Sequence, residues 1–392
     1  MSSVHINSHC GKNRHVVLVN ALHAKSGGGL TYLNNILPRL ASDIRLDIHI
    51  CVNGDQVEAL GASLDSIHVH VLPEAQGFLK TLIVEQRDVP NLARSIAADV
   101  LFSPANFGPV ATSGSVILLR NALSVGLRDW RPHKLLYWLA LFVMTVLCAF
   151  RATRVIAVSK YAARQITPAL LKLVLHKTII VPHGVSEIFF KKSSENFDLN
   201  KSAQTLLAVS DIYVQKNLHT LIDAFALLRK KYPELVLEIA GARVDEGYAH
   251  RIEQKIAKHG LGASVRFLGT LEPDTLVEKY QACTIFVFPS TVETFGNPLV
   301  EAMACGASIA CAQAAAMPEI ASDGVCYFDP DDAKDIMRIL AQLLDDPDER
   351  RRLSELGRKR AAIYDWDRTA KQTADILIEA ASYRLAQSDQ GV

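Results

Sequence analysis

Charge of one sign is the first thing this sequence lacks. Over 392 residues, 42 Lys plus Arg stand against 41 Asp plus Glu, a net charge of +1. A chain that binds nucleic acid in bulk carries a far more basic balance, so that class is excluded at the outset. Paired cysteines are missing too. The seven cysteines include no C-x-x-C pair, which argues against a disulfide framework or a structural zinc site built on cysteines and fits a reducing, cytoplasmic setting. The first 15 residues, MSSVHINSHCGKNRH, have no apolar stretch and predict no secretory signal. No internal repeat or low-complexity segment is present. The longest apolar run, residues 135–150 (LLYWLALFVMTVLCAF), is broken only by Thr145. As a helix it covers about 24 Å, short of the roughly 30 Å hydrocarbon core, so it does not span a bilayer.

What is present is ample apolar material. Hydrophobic residues make up 49% of the chain and charged residues 21%, which excludes wholesale disorder and suits two sizeable cores. The charge is unevenly divided. Residues 1–190 hold 18 basic against 11 acidic residues, and residues 191–392 hold 24 against 30. Within 120–164 eight basic residues meet a single acid, Asp129. Two readings of the apolar run inside that basic stretch stay open. It is a buried helix with solvated flanks, or it contacts an anionic membrane surface from the cytoplasmic side.

Short apolar runs alternate with helix-length segments throughout. Strand candidates in the first half lie at 15–20, 46–52, 67–72, 99–103, 115–119, 153–158 and 178–181. In the second half they lie at 205–210, 236–240, 265–268, 284–288, 307–311 and 325–328. Such alternation predicts parallel sheets covered by helices on both faces, one doubly wound sheet per half. The polar stretch 186–202 marks the seam. The expected architecture is α/β: one Rossmann-like domain over 1–190, a second over 191–365, and a tail helix over 366–392. The two domains are expected to face one another across a ligand-binding cleft.

The most informative segment is 286–306, FVFPSTVETFGNPLVEAMACG. A strand runs into a loop, and Pro298 suits the first position of the helix that follows. The N–H groups of Gly296, Asn297 and Leu299 at that helix start form a ready site for a diphosphate. Glu301, eight residues after Glu293, can reach a pair of sugar hydroxyls, while Glu293 faces whatever hangs from the phosphate.

The Glu293/Glu301 pair at E-x7-E spacing resembles the signature of the family 4 retaining glycosyltransferases, which have the GT-B fold. Other segments fit in the same order: the glycine loop 26–29, Val181-Pro182-His183-Gly184-Val185, the run 207–210 through Lys216-Asn217, Phe267-Leu268-Gly269, 314–320 and Phe328-Asp329-Pro330. The resemblance implies that Glu301 holds the nucleotide ribose and that Glu293 contacts the donor sugar. Lys216 would neutralise the leaving diphosphate. Gly296, Asn297, Pro298 and Leu299 would form the phosphate loop, with Gly28 and Gly29 approaching the donor from the first domain. Three places depart from the family. Asp211 stands where Arg is usual, making Arg243 a candidate substitute. Arg120-Asn121 stands where many relatives have His, and His183 replaces an Asn.

The resemblance implies a hexosyltransferase, mannosyltransferase-like, moving sugar from a GDP- or UDP-linked donor to a glycan or lipid-linked acceptor. The setting would be cell-surface polysaccharide or lipopolysaccharide synthesis. A front-face displacement needs no protein base. No metal or other cofactor is expected, because the helix start and Lys216 carry the phosphate charge. The three Asp-x-Asp matches, at 329/331, 346/348 and 365/367, read as helix caps. The alternatives are a nucleotide-sugar epimerase or phosphorylase of the same fold, and a non-catalytic sugar-nucleotide-binding protein.

Overall fold

A computed structural model of the chain describes residues 14–24, 27–73, 77–112, 114–120, 132–164, 174–191 and 204–390. The chain forms two compact units. One comprises Met1–Leu118, Leu147–Val155 and Ala370–Val392; the other comprises Leu119–Val146 and Ile156–Thr369. Both are discontinuous in sequence.

Among the described residues, seven strands make the first sheet: β1 (His15–Asn20), β2 (Leu46–Val52), β3 (His68–Val71), β4 (Val100–Ser103), β5 (Ser115–Leu119), β6 (Arg154–Ala157) and β7 (Thr178–Ile180). Their spatial order is β3-β2-β1-β4-β5-β6-β7. Six make the second: β8 (Thr205–Val209), β9 (Val236–Ala240), β10 (Val265–Gly269), β11 (Ile285–Phe288), β12 (Ile309–Ala312) and β13 (Cys326–Phe328), ordered β10-β9-β8-β11-β12-β13. The described pairings are parallel. Central strands such as β4, β5, β11 and β12 are buried along their whole length, as helices on both faces require, so they read as apolar runs rather than alternations.

The helices follow in chain order: α1 (Gly28–Ala41), α2 (Gly54–Leu60), α3 (Phe78–Ser95), α4 (Pro132–Arg151), α5 (Lys160–Arg164), α6 (Leu218–Leu228), α7 (Glu246–Lys258), α8 (Pro273–Ala282), α9 (Asn297–Cys305), α10 (Met317–Ala321), α11 (Ala333–Asp345), α12 (Pro347–Ala361) and α13 (Trp366–Gln390). Helix α6 shows how the second core closes. Leu218, Leu221, Ile222, Phe225 and Leu228 recur at helical spacing and are all buried, with α11 packed alongside. Each such side chain contributes about 1.5–3 kcal/mol on burial. The tail helix α13 makes contacts inside the first unit: Glu379 pairs with Arg154 at 2.5 Å, Asp375 with Arg45 at 2.9 Å, and Arg384 donates to the Ala98 carbonyl at 2.6 Å.

Helix α4 carries the apolar run and has one buried and one exposed face. Leu141, Thr145, Cys148 and Ala149 are buried. Leu139, Val143, Leu147 and Phe150 recur every three or four residues and face solvent. No helix among the described residues is long and apolar enough to cross a membrane.

Candidate functional site

In the second sheet the strand order reverses between β8 and β11, and ligands of open α/β sheets bind beyond the carboxyl ends of the strands at such a point. The loops leaving those two strands are tied together. The Thr291 N–H donates to the Gln215 carbonyl at 2.9 Å, and the Thr291 hydroxyl donates to the same oxygen at 3.2 Å. This places Lys216 beside Glu293, with Nζ donating to Oε1 at 2.6 Å. Side-chain exposures are 10% and 15%, so the pair is largely withdrawn from water. Nζ also lies 5.1 Å from the Tyr213 ring centroid, a cation–π geometry. Burial alone would lower the Lys216 pKa, but Glu293 and then Tyr213 outweigh it and hold the ammonium above its ordinary range. Lys216 is therefore a fixed cation at neutral pH. Its position depends on Asn217, which adopts a left-handed conformation (φ 56°) and anchors its amide on the Pro330 carbonyl at 2.7 Å. Asn tolerates that conformation better than other side chains do.

The loop after β11 ends at Gly296, whose φ of 84° favours glycine and whose added Cβ would press on the Phe288 ring at 3.3 Å. Gly296 is the N-cap of α9, so the helix begins at Asn297 and Pro298 is its second residue, one position later than expected. Of the three N–H groups expected to face an anion, that of Leu299 is already directed to the Gly296 carbonyl at 3.0 Å. The N–H groups of Gly296 and Asn297 remain at the helix start, where the axial dipole is positive. The loop is held at both ends. The Thr294 carbonyl accepts from Ser159 Oγ at 2.6 Å, and the Thr294 hydroxyl donates to the Arg120 carbonyl at 2.5 Å. The Glu293 carbonyl accepts from the Ala316 N–H at 3.2 Å.

His183 sits behind the loop. Its Nδ1 donates to Asn297 Oδ1 at 3.3 Å, and its ring lies 5.6 Å from that of Trp366 and 5.2 Å from that of Phe295. Burial lowers its pKa to about 4, against the raising effect of the Asn297 bond. It is a neutral ring that orients Asn297. Gly184 next to it is obligatory, because a Cβ there would stand 2.2 Å from the Trp366 nitrogen.

Glu301 lies on α9, half-buried. The hydroxyl of Tyr280, a wholly buried residue of α8, donates to Glu301 Oε2 at 3.2 Å. Burial raises the Glu301 pKa to about 7, with the Tyr280 bond working in the other direction. This carboxylate is thus poised to lose or keep its proton near neutrality.

Other sequence-predicted residues lie elsewhere. Arg243 is exposed and engaged by Glu246 and Glu253 on α7, rather than held ready as a substitute phosphate cation. Asp211 serves the backbone instead of a ligand, since its Oδ1 accepts the Ala242 N–H at 3.1 Å and so fixes the loop after β9. Gly28 and Gly29 are the first two residues of α1, in the other unit. Asn121 and Ser26 lie outside the described residues. The Asp-x-Asp matches cap and turn. Asp346 accepts from Glu349 N at 2.9 Å, Asp329 from Asp331 N at 2.9 Å, and Asp365 from Asp367 N at 2.9 Å. Tyr213 and Tyr280 carry no signal in the sequence. Only the fold brings each beside a residue of the E-x7-E segment or its lysine.

Known proteins resemble this chain at three levels. Residues 189–360 match the family described as Glycosyl transferases group 1. The chain is 30% identical over 258 residues to the serotype-specific mannosyltransferase WbdA of Escherichia coli, covering 64% of this chain and 31% of that protein. It spans about a third of the length of these curated relatives. Among solved structures, it resembles the sucrose-phosphate synthase of Thermosynechococcus elongatus with a TM-score of 0.79 at 17% identity, covering 94% of this chain and 100% of that one. HepE of Anabaena, solved in complex with UDP-glucose, aligns with a TM-score of 0.73 at 20% identity over 93% of this chain and 99% of that one. Two parallel sheets with the same doubly wound strand order, aligned to such structures over nearly their whole length, give this chain the GT-B fold.

Proposed function

We propose that this chain is a retaining glycosyltransferase of cell-surface polysaccharide synthesis, moving a hexose from a nucleoside diphosphate donor to a glycan or lipid-linked hydroxyl. The observation that carries the reading is the Lys216–Glu293 pair beside the start of α9, at the switch point of the second sheet. A diphosphate at that helix start would meet the N–H groups of Gly296 and Asn297 and the Lys216 ammonium. These are fixed donors aimed where leaving-group charge grows as the glycosidic bond breaks. Glu301, ionised, would accept from the ribose hydroxyls. Glu293 would stand against the sugar, where a carboxylate favours an oxocarbenium-like centre. The acceptor oxygen bonds to the anomeric carbon on the face the diphosphate leaves. Its proton passes to the departing phosphate oxygen, so no side chain need act as base. The name of WbdA supports a mannosyl donor, and the HepE complex supports a uridine one.

The exposed stripe of α4, with Arg151 exposed at its end and a basic surrounding sequence, fits a lipid-linked acceptor presented at an anionic membrane surface. Flotation with vesicles containing phosphatidylglycerol tests this. Leu139→Asp with Leu147→Asp should release a bound protein, and no binding by the wild type refutes the membrane contact.

Thermal-shift titration with UDP-, GDP-, ADP- and dTDP-sugars identifies the donor. Glu293→Gln should abolish transfer and leave nucleotide binding measurable; unchanged turnover refutes the assignment. Asp211, where related transferases carry a cation, favours a second reading as a non-catalytic sugar-nucleotide-binding protein. Donor binding without transfer or hydrolysis by the wild type would establish that reading instead.

A further inference from the structure

The edge of the first sheet carries a polar cluster that sugar transfer does not use. Strand β3 is the outermost strand, paired in parallel with β2 so that His68 lies opposite His49 and His70 opposite Cys51. Side chains alternate along a strand, so Asp47 and His49 of β2 share one face of the sheet with His68 and His70 of β3. Their atoms converge. His68 Nε2 lies 3.4 Å from Asp47 Oδ1, and His49 Nε2 lies 3.7 Å from Asp47 Oδ2. One ligand atom from each of Asp47, His49 and His68 falls within 4.8 Å of the others. The rings of His49 and His68 are stacked with centroids 4.5 Å apart. On its other nitrogen, His49 Nδ1 shares a hydrogen bond with His70 Nε2 at 2.9 Å.

We propose that Asp47, His49 and His68 bind one divalent ion of the zinc class, with His70 as the residue that positions His49. Zinc–nitrogen and zinc–oxygen bonds of about 2.0–2.1 Å in a tetrahedron put neighbouring ligand atoms roughly 3.3–3.4 Å apart. His68 Nε2 already lies at that spacing from Asp47 Oδ1, while His49 Nε2, 3.7 Å from the other carboxylate oxygen, would have to move closer. If His49 Nδ1–H donates to His70, the lone pair of Nε2 is left on the side of Asp47 and His68, the outer-shell arrangement seen around ligating histidines. Two imidazoles and one carboxylate suit Zn²⁺, Co²⁺, Ni²⁺ or Cu²⁺; Mg²⁺ and Ca²⁺ require oxygen donors. Access is open, since the His68 side chain is 64% exposed. Three protein ligands leave a fourth position for water. The ion would clip a four-residue edge strand, whose Val69 and Val71 are exposed, to the strand inside it. The proposal is independent of the sugar-transfer reading and concerns the other unit.

Isothermal titration of the full, chelator-treated chain with ZnCl₂ is the test, with Co²⁺ absorption reporting coordination geometry. One ion per chain is expected, with no heat from MgCl₂. His68→Ala and Asp47→Asn should each weaken Zn²⁺ binding at least about tenfold, and His70→Ala by about tenfold through His49. His250→Ala, an exposed residue of α7 outside the cluster, should leave it unchanged. Zinc should raise the melting temperature of the wild type and not that of His68→Ala. If Asp47→Asn fails to fold, His68→Ala decides alone, because its side chain lies mostly in solvent. Absence of saturable one-to-one binding below about 100 μM, or binding unaltered by His68→Ala, overturns the proposal.

Discussion

The two sheets share the strand order 3-2-1-4 at their centres, yet the carboxyl ends of their central strands hold different chemistry. Beyond β1 and β4, the Asn20 amide donates to Glu85 Oε1 at 2.6 Å and to Ser103 Oγ at 3.3 Å, and His23 Nε2 lies 3.2 Å from Glu85 Oε2. Glu85, Asn20 and Ser103 are all buried, and Gly108 closes over them so tightly that a Cβ would stand 2.1 Å from Ser103 Oγ. Beyond β8 and β11, a carboxylate is paired instead with the ammonium of Lys216, beside a helix start with outward N–H groups. One switch point is a buried network of polar side chains and the other a charge pair beside a helix start. Topology supplies the location; the residues at and beyond each strand end decide what can bind there.

The sharpest way to break the comparison is to delete the cation. Lys216→Ala should cut transfer by about 10²–10³-fold, as removal of a preorganised charge does. It should also cost roughly 3–5 kcal/mol of stability, because Glu293 stays buried without a partner. Chemical denaturation reads the second effect, and the double variant Lys216→Met/Glu293→Leu should cost less than the sum of its parts. The matching change in the first unit, Glu85→Leu, should cost about 1–3 kcal/mol by leaving the Asn20 amide unsatisfied. Donor affinity in that variant should stay within about twofold of wild type by titration.

Two pH effects sharpen the contrast further. If Glu301 accepts the ribose hydroxyls as proposed, it does so as the carboxylate, and its pKa is raised to about 7. Donor affinity should therefore climb by about tenfold from pH 6 to pH 8 and level off above. The folded chain keeps this proton where the unfolded chain has lost it, so the group's contribution to stability falls as pH rises from about 4.5 to about 7. Glu301→Gln should flatten both dependences. The smallest effect belongs to His183, with its pKa lowered to about 4. The unfolded chain takes up this proton first, so stability is lost as pH falls from about 6.5 toward 4. His183→Asn should shift the acid-unfolding midpoint slightly downward, read by far-UV circular dichroism.

Much of this was legible before the structure. Strand and helix alternation follows from apolar runs set between periodic segments. The turn at Gly296 and Pro298 has its own local chemistry, so the start of α9 could be located to within a residue. The partners could not. Tyr280 reaches Glu301 only because α8 and α9 lie side by side, and Asp211 meets Ala242 only because β8 and β9 are neighbours. Arg243 looked available as a cation because the acids that bind it, Glu246 and Glu253, are apparent as neighbours only once α7 has formed.

The amino-acid sequence by itself determined which segments become strands and helices, and which stretch carries the glycine, the proline and the two glutamates between β11 and the end of α9. These properties depend on side-chain period, local dihedral preference and a missing N–H, all short-range in the chain. Tertiary structure alone decided that Lys216 and Glu293 neutralise one another across 77 positions, that Glu301 titrates near neutrality, and that four imidazole and carboxylate side chains meet on β2 and β3. Desolvation and pairing depend on what packs around a group, and that is set by neighbours far away in sequence.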